Sequence, residues 1–398
     1  MHKEKWYNKR YEGDIMDQKI KISNKFSKQF NNDMLDSTNK AKKYNDIINL
    51  SIGDPDLITN SEIMKKGFED CLNGHTHYTD PLGYPELREA LAKEYIEDYG
   101  INITKENIIV TASATMAMFF ALNVTLNEGD EVIVLEPYFT PYKKQIEFTG
   151  AKVVTLPLKS ENNFQITMND LNSVLTNKTK GIIVNYPTNP TGAVFSDESL
   201  QNIATFAISN DLIVYADDIY TIFNYTQPFR PICKLPGMFE RTITIRSFSK
   251  DYCMTGFRIG WIICPHYLID VINTLNESVI YTVPSFSQRV ALYALENREK
   301  IQKQIKAEFK KRLDFVYDKI KQIPFLETTK PEGSIYMFLD IRKTNMTSKE
   351  FADYALDKYH IIVLAGNGFG ESGEGFVRIA LTCNVQKLEE AFNRFINW

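Results

Sequence analysis

Between Asn107 and Pro265 the chain keeps returning to short runs of β-branched and aliphatic residues: NIIV, EVIVLEP, AKVVTL, GIIVNYP, LIVYADD, TITIR and GWIICP. Most of them are apolar at consecutive positions rather than at alternate ones. A strand of that kind has two dry faces, which a parallel sheet covered by helices on both sides provides. Helix-period stretches such as MAMFFALNVTL and DESLQNIATFAISN fall between several of the runs, so βαβ units follow. The expected fold class is α/β with a mostly parallel sheet. After Pro284 the rhythm changes to a long charged amphipathic segment, expected as one helix from Gln288 to about Gln322. It leads to a smaller C-terminal α/β piece containing SIYMFLDI and GFVRIAL.

Composition narrows the class of protein. At 398 residues the chain is too long for one ordinary core. With 43% hydrophobic and 24% charged residues it reads as soluble and globular. A net charge of -4 gives no electrostatic reason to expect nucleic acid or an anionic membrane as partner. The start, MHKEKWYNKRYEGDIMDQ, lacks the apolar core of a signal peptide, and no apolar run reaches bilayer length. Cys71, Cys233, Cys253, Cys264 and Cys383 are scattered without a C-x-x-C pair, which suits reduced thiols and a cytoplasmic location.

In such sheets a ligand sits where the loops leave the carboxyl ends of the strands. After NIIV stand Ser113, Ala114 and Thr115, directly before a helix; they serve either as a plain cap or as an anion site. After EVIVLEP stand Tyr138 and Phe139, core aromatics or stacking faces for a flat ring. After GIIV the rigid loop NYPTNPTG presents Asn185 and Asn189. LIVYA is followed by Asp217, Asp218 and Tyr220, and TITIR by Ser247, Ser249 and Lys250. A second cation, Arg258, follows Lys250 within a turn flanked by glycines. Two cations sharing a pocket repel each other unless an anion lies between them.

Each signal is weak alone. Together they offer a phosphate cradle, an aromatic plate, an acid, a phenol and a lysine on one sheet edge, which are the needs of pyridoxal 5'-phosphate. Arg258 would meet the phosphate as a bidentate partner while Lys250 forms a Schiff base with the aldehyde.

The motifs SFSKDYCMTGFRIGW, NYPTNPTG, YADDIY and GEGFVRIAL, in this order and spacing, resemble the fold-type I aminotransferases of class I/II, from about Leu50 onward. The resemblance implies a large domain with a mostly parallel sheet and a smaller α/β domain. The corresponding division is 1–20 as an N-terminal extension, 21–55 as the first part of the small domain, 56–290 as the large cofactor domain, and 291–398 as connecting helix and small domain. By resemblance Lys250 is the internal-aldimine lysine and proton shuttle, Asp217 pairs with the ring nitrogen, and Tyr220 and Asn189 contact the 3'-oxygen. Phe139 stacks on the ring, while Ser113, Ala114, Thr115, Ser247 and Arg258 hold the phosphate. Arg378 grips the substrate carboxylate with Asn189, beside Gly53. Tyr78 reaches the phosphate of the neighbouring subunit, so a homodimer with shared active sites is implied. The implied reaction is ping-pong transfer of an amino group from an L-amino acid to a 2-oxo acid.

A β-C–S lyase on the same scaffold would use the same cofactor residues, and Tyr220 favours transfer over it. A regulator with an aminotransferase-like domain would need an attached DNA-binding module, and the acidic chain carries none. GFGESG, Gly368–Gly373, matches a dinucleotide fingerprint in letters but precedes a strand, so it is expected as a flexible loop. Cys71, His75 and His77 lack a second ligand cluster, so no metal is expected. Asp218, beside Asp217, is expected to face away from the cofactor.

Overall fold

The computed structural model describes residues 43–396, together with Ser23 and Phe26. The extension expected at 1–20 lies outside the described residues. Met1–Asn32 and Asp33–Trp398 are separate units, and in the first of them Phe26 N donates to Ser23 O at 2.9 Å.

In the second unit a two-residue strand, β1 (Ile48–Asn49), precedes the seven expected runs. These become β2 (Ile108–Thr111), β3 (Glu131–Glu136), β4 (Lys152–Pro157), β5 (Thr179–Asn185), β6 (Ile213–Asp217), β7 (Thr242–Ser247) and β8 (Gly260–Ile263). They form one sheet in the order β2-β8-β7-β6-β5-β3-β4. Only β8 runs antiparallel to its neighbours. Consecutive apolar residues serve two different cores. Val214 and Ala216 of β6 pack on one face with Leu200, Ile203 and Ala207 of the helix Asp197–Ser209. Tyr215, between them, packs on the other face with Ala117 and Phe120 of the helix Ala114–Thr125. That alternation makes the run apolar at every position.

Two expectations need correction. The segment Gln288 to Gln322 is not one helix but parts of two, Ser285–Glu296 and Arg298–Ile320. Asn297 separates them at φ -110°, and its side-chain Nδ2 donates to Tyr293 O at 2.9 Å. A short amide side chain competes in this way with backbone pairing and favours a break.

The C-terminal part adds β9 (Tyr336–Asp340), β10 (Ile361–Ile362), β11 (Leu364–Ala365) and β12 (Phe376–Ala380). β11, β12 and β9 form an antiparallel sheet, and β10 pairs in parallel with β1. The GFGESG stretch is the second correction. It is not a free loop but lies in two 3₁₀ turns, Gly366–Phe369 and Glu371–Gly373. Ser372 N donates to the buried Glu136 Oε1 at 2.5 Å, and Tyr138 N to Phe369 O at 2.9 Å. Gly370 sits at φ 118°, and a Cβ there would run into the Glu136 carboxylate. Glycine is needed for both reasons. Among the described residues no helix is long and apolar enough to cross a membrane.

Candidate active site

Strand register assembles the site. Across β5, β6 and β7, Asn185, Asp217 and Ile245 stand side by side. Across β2, β8 and β7, Thr111, Gly260 and Ser247 do the same. The carboxyl ends of β2, β5, β6 and β7 therefore open on one edge, where the antiparallel β8 begins.

At the end of β2, Ser113 caps the helix Ala114–Thr125 by accepting from Met116 N at 3.1 Å. The first N–H groups of a helix have no intrahelical acceptor, and its dipole favours an anion there. Ala114 and the exposed Thr115 sit at that end. Gly260 lets β8 press close, since a Cβ there would stand 2.7 Å from Ala114 N. Next along the edge, Ser247 Oγ accepts from Ser249 N at 3.0 Å and starts the short helix Phe248–Asp251 that carries Lys250. Arg258 follows, exposed, in the left-handed region at φ 51°, its guanidinium donating to Thr255 O at 2.8 Å.

Lys250 Nζ donates to Gly53 O. Arg378, on β12, reaches the same backbone stretch and donates to Ser51 O. Its other arm donates to Asn189 Oδ1 at 3.0 Å. The guanidinium is buried between the Tyr336 ring at 4.4 Å and the Phe369 ring at 4.9 Å. Burial lowers the Arg378 pKa from its ordinary value, and the nearby Tyr336 and Tyr220 oppose that. Tyr220 OH donates to Tyr336 OH at 3.3 Å. Tyr336 in turn packs so tightly on Gly53 that any side chain at 53 would strike its hydroxyl. Lys250, Gly53, Asn189, Tyr220 and Arg378 thus form one connected group.

Asp217 is buried at the end of β6. Tyr142 OH donates to its Oδ2, while Oδ1 has no hydrogen-bond partner. Burial pushes the Asp217 carboxyl up to about 6, against the lowering effect of the Tyr142 hydrogen bond. Asn185 ties two strand ends together, donating to Asp217 O at 2.8 Å and accepting from Asn189 N at 3.0 Å. Phe139 lies edge-to-face with Tyr142 at 5.6 Å.

Behind this edge lies a second cluster. Arg246 is buried against the Trp261 and Tyr99 rings, with Glu94 and Asp251 each at 3.8 Å and Thr221 Oγ1 at 3.3 Å. Thr221 Oγ1 also donates to Asp251 Oδ2 at 2.7 Å, joining the Tyr220 loop to the Lys250 helix. Burial pushes Asp251 up to about 7 and Asp218 up to about 8, and Arg246 opposes both. The charge of Asp218 bears on Tyr95, Tyr186 and Cys233.

The single chain leaves Tyr78 apart from all of these; it is 82% exposed and meets Tyr281 edge-to-face at 5.1 Å. His75 Nδ1 lies 3.2 Å from Tyr84 OH, and among the described residues no cluster of three or more His, Cys, Asp or Glu side chains could hold a metal ion. Sequence reasoning missed Tyr142 and Tyr336. Tyr142 stands in the first turn of the helix after β3, within reach of a search extended one turn past each strand end.

Residues 45–395 match the family described as aminotransferase class I and II. An aspartate aminotransferase of Pyrococcus horikoshii is 37% identical over 358 residues, covering 89% of this chain and 91% of that protein. Aromatic-amino-acid aminotransferase 2 of Thermococcus litoralis is 34% identical, covering 87% and 90%. Among solved structures, an aspartate aminotransferase double mutant of Thermus thermophilus superposes with a TM-score of 0.90 at 27% identity, covering 94% of this chain and 99% of that one. The chain belongs to the class I and II aminotransferases, with the fold-type I architecture. Its reaction class is the transfer of an amino group.

Proposed function

We propose that the site holds pyridoxal 5'-phosphate and moves an amino group from an L-amino acid to a 2-oxo acid. The observation that carries this reading is the convergence of Lys250 and Arg378 on Gly53 O and Ser51 O. These carbonyls are two residues apart, at most about 7 Å along an extended chain. An amine-handling lysine and a carboxylate-binding guanidinium at that spacing suit the two ends of an α-amino acid.

The residues also fit the cofactor. Asp217 Oδ1 is buried without a partner and suits a protonated ring nitrogen. The start of the helix Ala114–Thr125, with Ser113, Ser247 and Arg258, suits a phosphate. Phe139 would face the ring, and Asn189 and Tyr220 its 3'-oxygen. When bound, the cofactor supplies an electrophilic carbon for nitrogen exchange and a ring that accepts the electron pair left by Cα–H cleavage. Arg378 and Asn189 hold the substrate carboxylate and so fix the direction of the Cα–H bond. Lys250 Nζ would take the Cα proton and deliver it to that electrophilic carbon, so that the nitrogen stays behind as the 2-oxo acid forms. Asp217, when ionised, would hold a proton on the ring nitrogen. The first 2-oxo acid leaves before the second binds, which makes the cycle ping-pong.

Residues 56–290 would serve as the large domain, and 21–55 with 291–398 as the small one. The parallel pairing of β1 (Ile48–Asn49) with β10 supports placing the residues around Ile48 with the C-terminal part. The working unit would be a homodimer in which the exposed Tyr78 reaches the partner's phosphate. A cytoplasmic location suits five cysteines that form no disulfide.

Aspartate and aromatic amino acids, named for the relatives, are the first donors to test. With one amino acid and no oxo acid, the enzyme should release about one equivalent of 2-oxo acid per site and stop. Continuous release of ammonia and pyruvate from cystathionine would establish the β-C–S lyase instead.

A further inference from the structure

Tyr142 belongs to neither the phosphate cradle nor the carboxylate clamp, yet its hydroxyl is spent on Asp217. It stands in the first turn of the helix Pro141–Thr149, buried, with its ring against Phe139. The two oxygens of Asp217 are thereby made unequal. Oδ2 accepts from the phenol, and Oδ1 is left buried and without a partner. Asn185 holds the backbone beneath, donating to Asp217 O at 2.8 Å.

We propose that Tyr142 is a positioning residue for the reaction: its hydroxyl holds Asp217 ionised and turned so that Oδ1 alone faces the cofactor ring nitrogen. This rests on the pyridoxal 5'-phosphate reading above.

The charges around the pair favour that role. Burial and the Asp217 carboxylate hold the Tyr142 hydroxyl well above its ordinary pKa, so it stays protonated and remains a donor. Asp217 itself is pushed toward the neutral acid by burial, and the Tyr142 hydrogen bond is what opposes this. The other ionisable groups its charge bears on are Tyr220 and Asp218. Both are themselves held toward the neutral form by burial, so neither supplies a cation. In a dry site the proton between a carboxylate and a pyridine nitrogen can rest on either. A donor on the far carboxylate oxygen stabilises the anion and leaves the proton on nitrogen. A protonated ring is the stronger electron acceptor, so the consequence reaches the rate of Cα–H cleavage rather than substrate binding.

The test uses the holoenzyme reconstituted with pyridoxal 5'-phosphate labelled with ¹⁵N in the ring. In the wild type the ring nitrogen should resonate upfield, as a protonated nitrogen. In Tyr142→Phe it should move downfield toward the neutral position, with kcat reduced about tenfold or more and KM little changed. A purely structural role would lower stability without moving that resonance. Should Tyr142→Phe not fold, 4-fluorophenylalanine at 142 keeps the size of tyrosine without the donor and should give the same downfield shift. An unchanged resonance in a folded variant that holds the cofactor overturns the inference. A wild-type protein that takes up no pyridoxal 5'-phosphate overturns instead the reading beneath it.

Discussion

Asp218→Asn should make the protein more stable at neutral pH while leaving amino transfer intact. Asp218 is fully buried, and neither of its carboxyl oxygens has a hydrogen-bond partner. Burial raises its pKa from 3.8 to about 8; Arg246 opposes the rise and Asp217 adds to it. The folded chain therefore binds a proton at pH 7 that the unfolded chain does not. A carboxyl raised on folding contributes stability in full below its unfolded value and loses it as pH rises through the folded one. Between pH 4 and 8 that loss accumulates, reaching about 4 kcal/mol at pH 7. Asparagine has nearly the shape of the neutral acid and needs no proton. It should recover much of the cost, less about 1–3 kcal/mol if its amide finds no acceptor. The clean observable is the difference between variant and wild type. Near pH 4 the urea unfolding midpoints should differ by no more than that amide penalty, and from there the variant should gain steadily on the wild type toward pH 8. A wild type that instead gains on the variant as pH rises would show Asp218 ionised and paired with Arg246, and the reasoning would be wrong.

Arg378→Met should lower kcat/KM by about 30- to 4,000-fold, the equivalent of about 2–5 kcal/mol for an unpaired buried charge, while cofactor affinity stays nearly unchanged; equal loss of both would mean that Arg378 only supports the fold. Mixing inactive Tyr78→Ala and Lys250→Ala chains, after dissociation and reassociation, should restore up to about a quarter of wild-type activity, because a two-fold axis puts both defects in one site of each mixed dimer. No recovery from well-mixed, folded dimers would place Tyr78 outside any shared site.

The sheet was legible because burial on two sides leaves its mark directly in the sequence: GIIV and LIVYA are apolar throughout since alternate residues such as Ile183 and Val184 enter different cores. Strand ends then pointed to Lys250, Asp217 and Asn189, because in a parallel sheet those ends share one edge. What stayed hidden depends on partners far away in the chain. Tyr336 opens a strand whose letters read as ordinary core, and only packing against Gly53 and Arg378 brings it to the site. Arg246 reads as the one charged residue in TITIR, yet Glu94, Trp261 and Asp251 enclose it from three other segments. The break at Asn297 was hidden because charged helical periodicity continues on both sides of it. The order of Gly368–Gly373 was hidden because Glu136, which holds it, lies more than two hundred residues earlier, at |i−j| 236 from Ser372.

Everything proposed for the site turns on Lys250. The purified protein supplied with pyridoxal 5'-phosphate should be yellow, and borohydride should fix a pyridoxyl group to the amine that carries it. Peptide mapping should find that label on Lys250, within SFSKDYCMTGFR. Label on another lysine, or a coloured Lys250→Ala protein with undiminished turnover, would contradict the assignment.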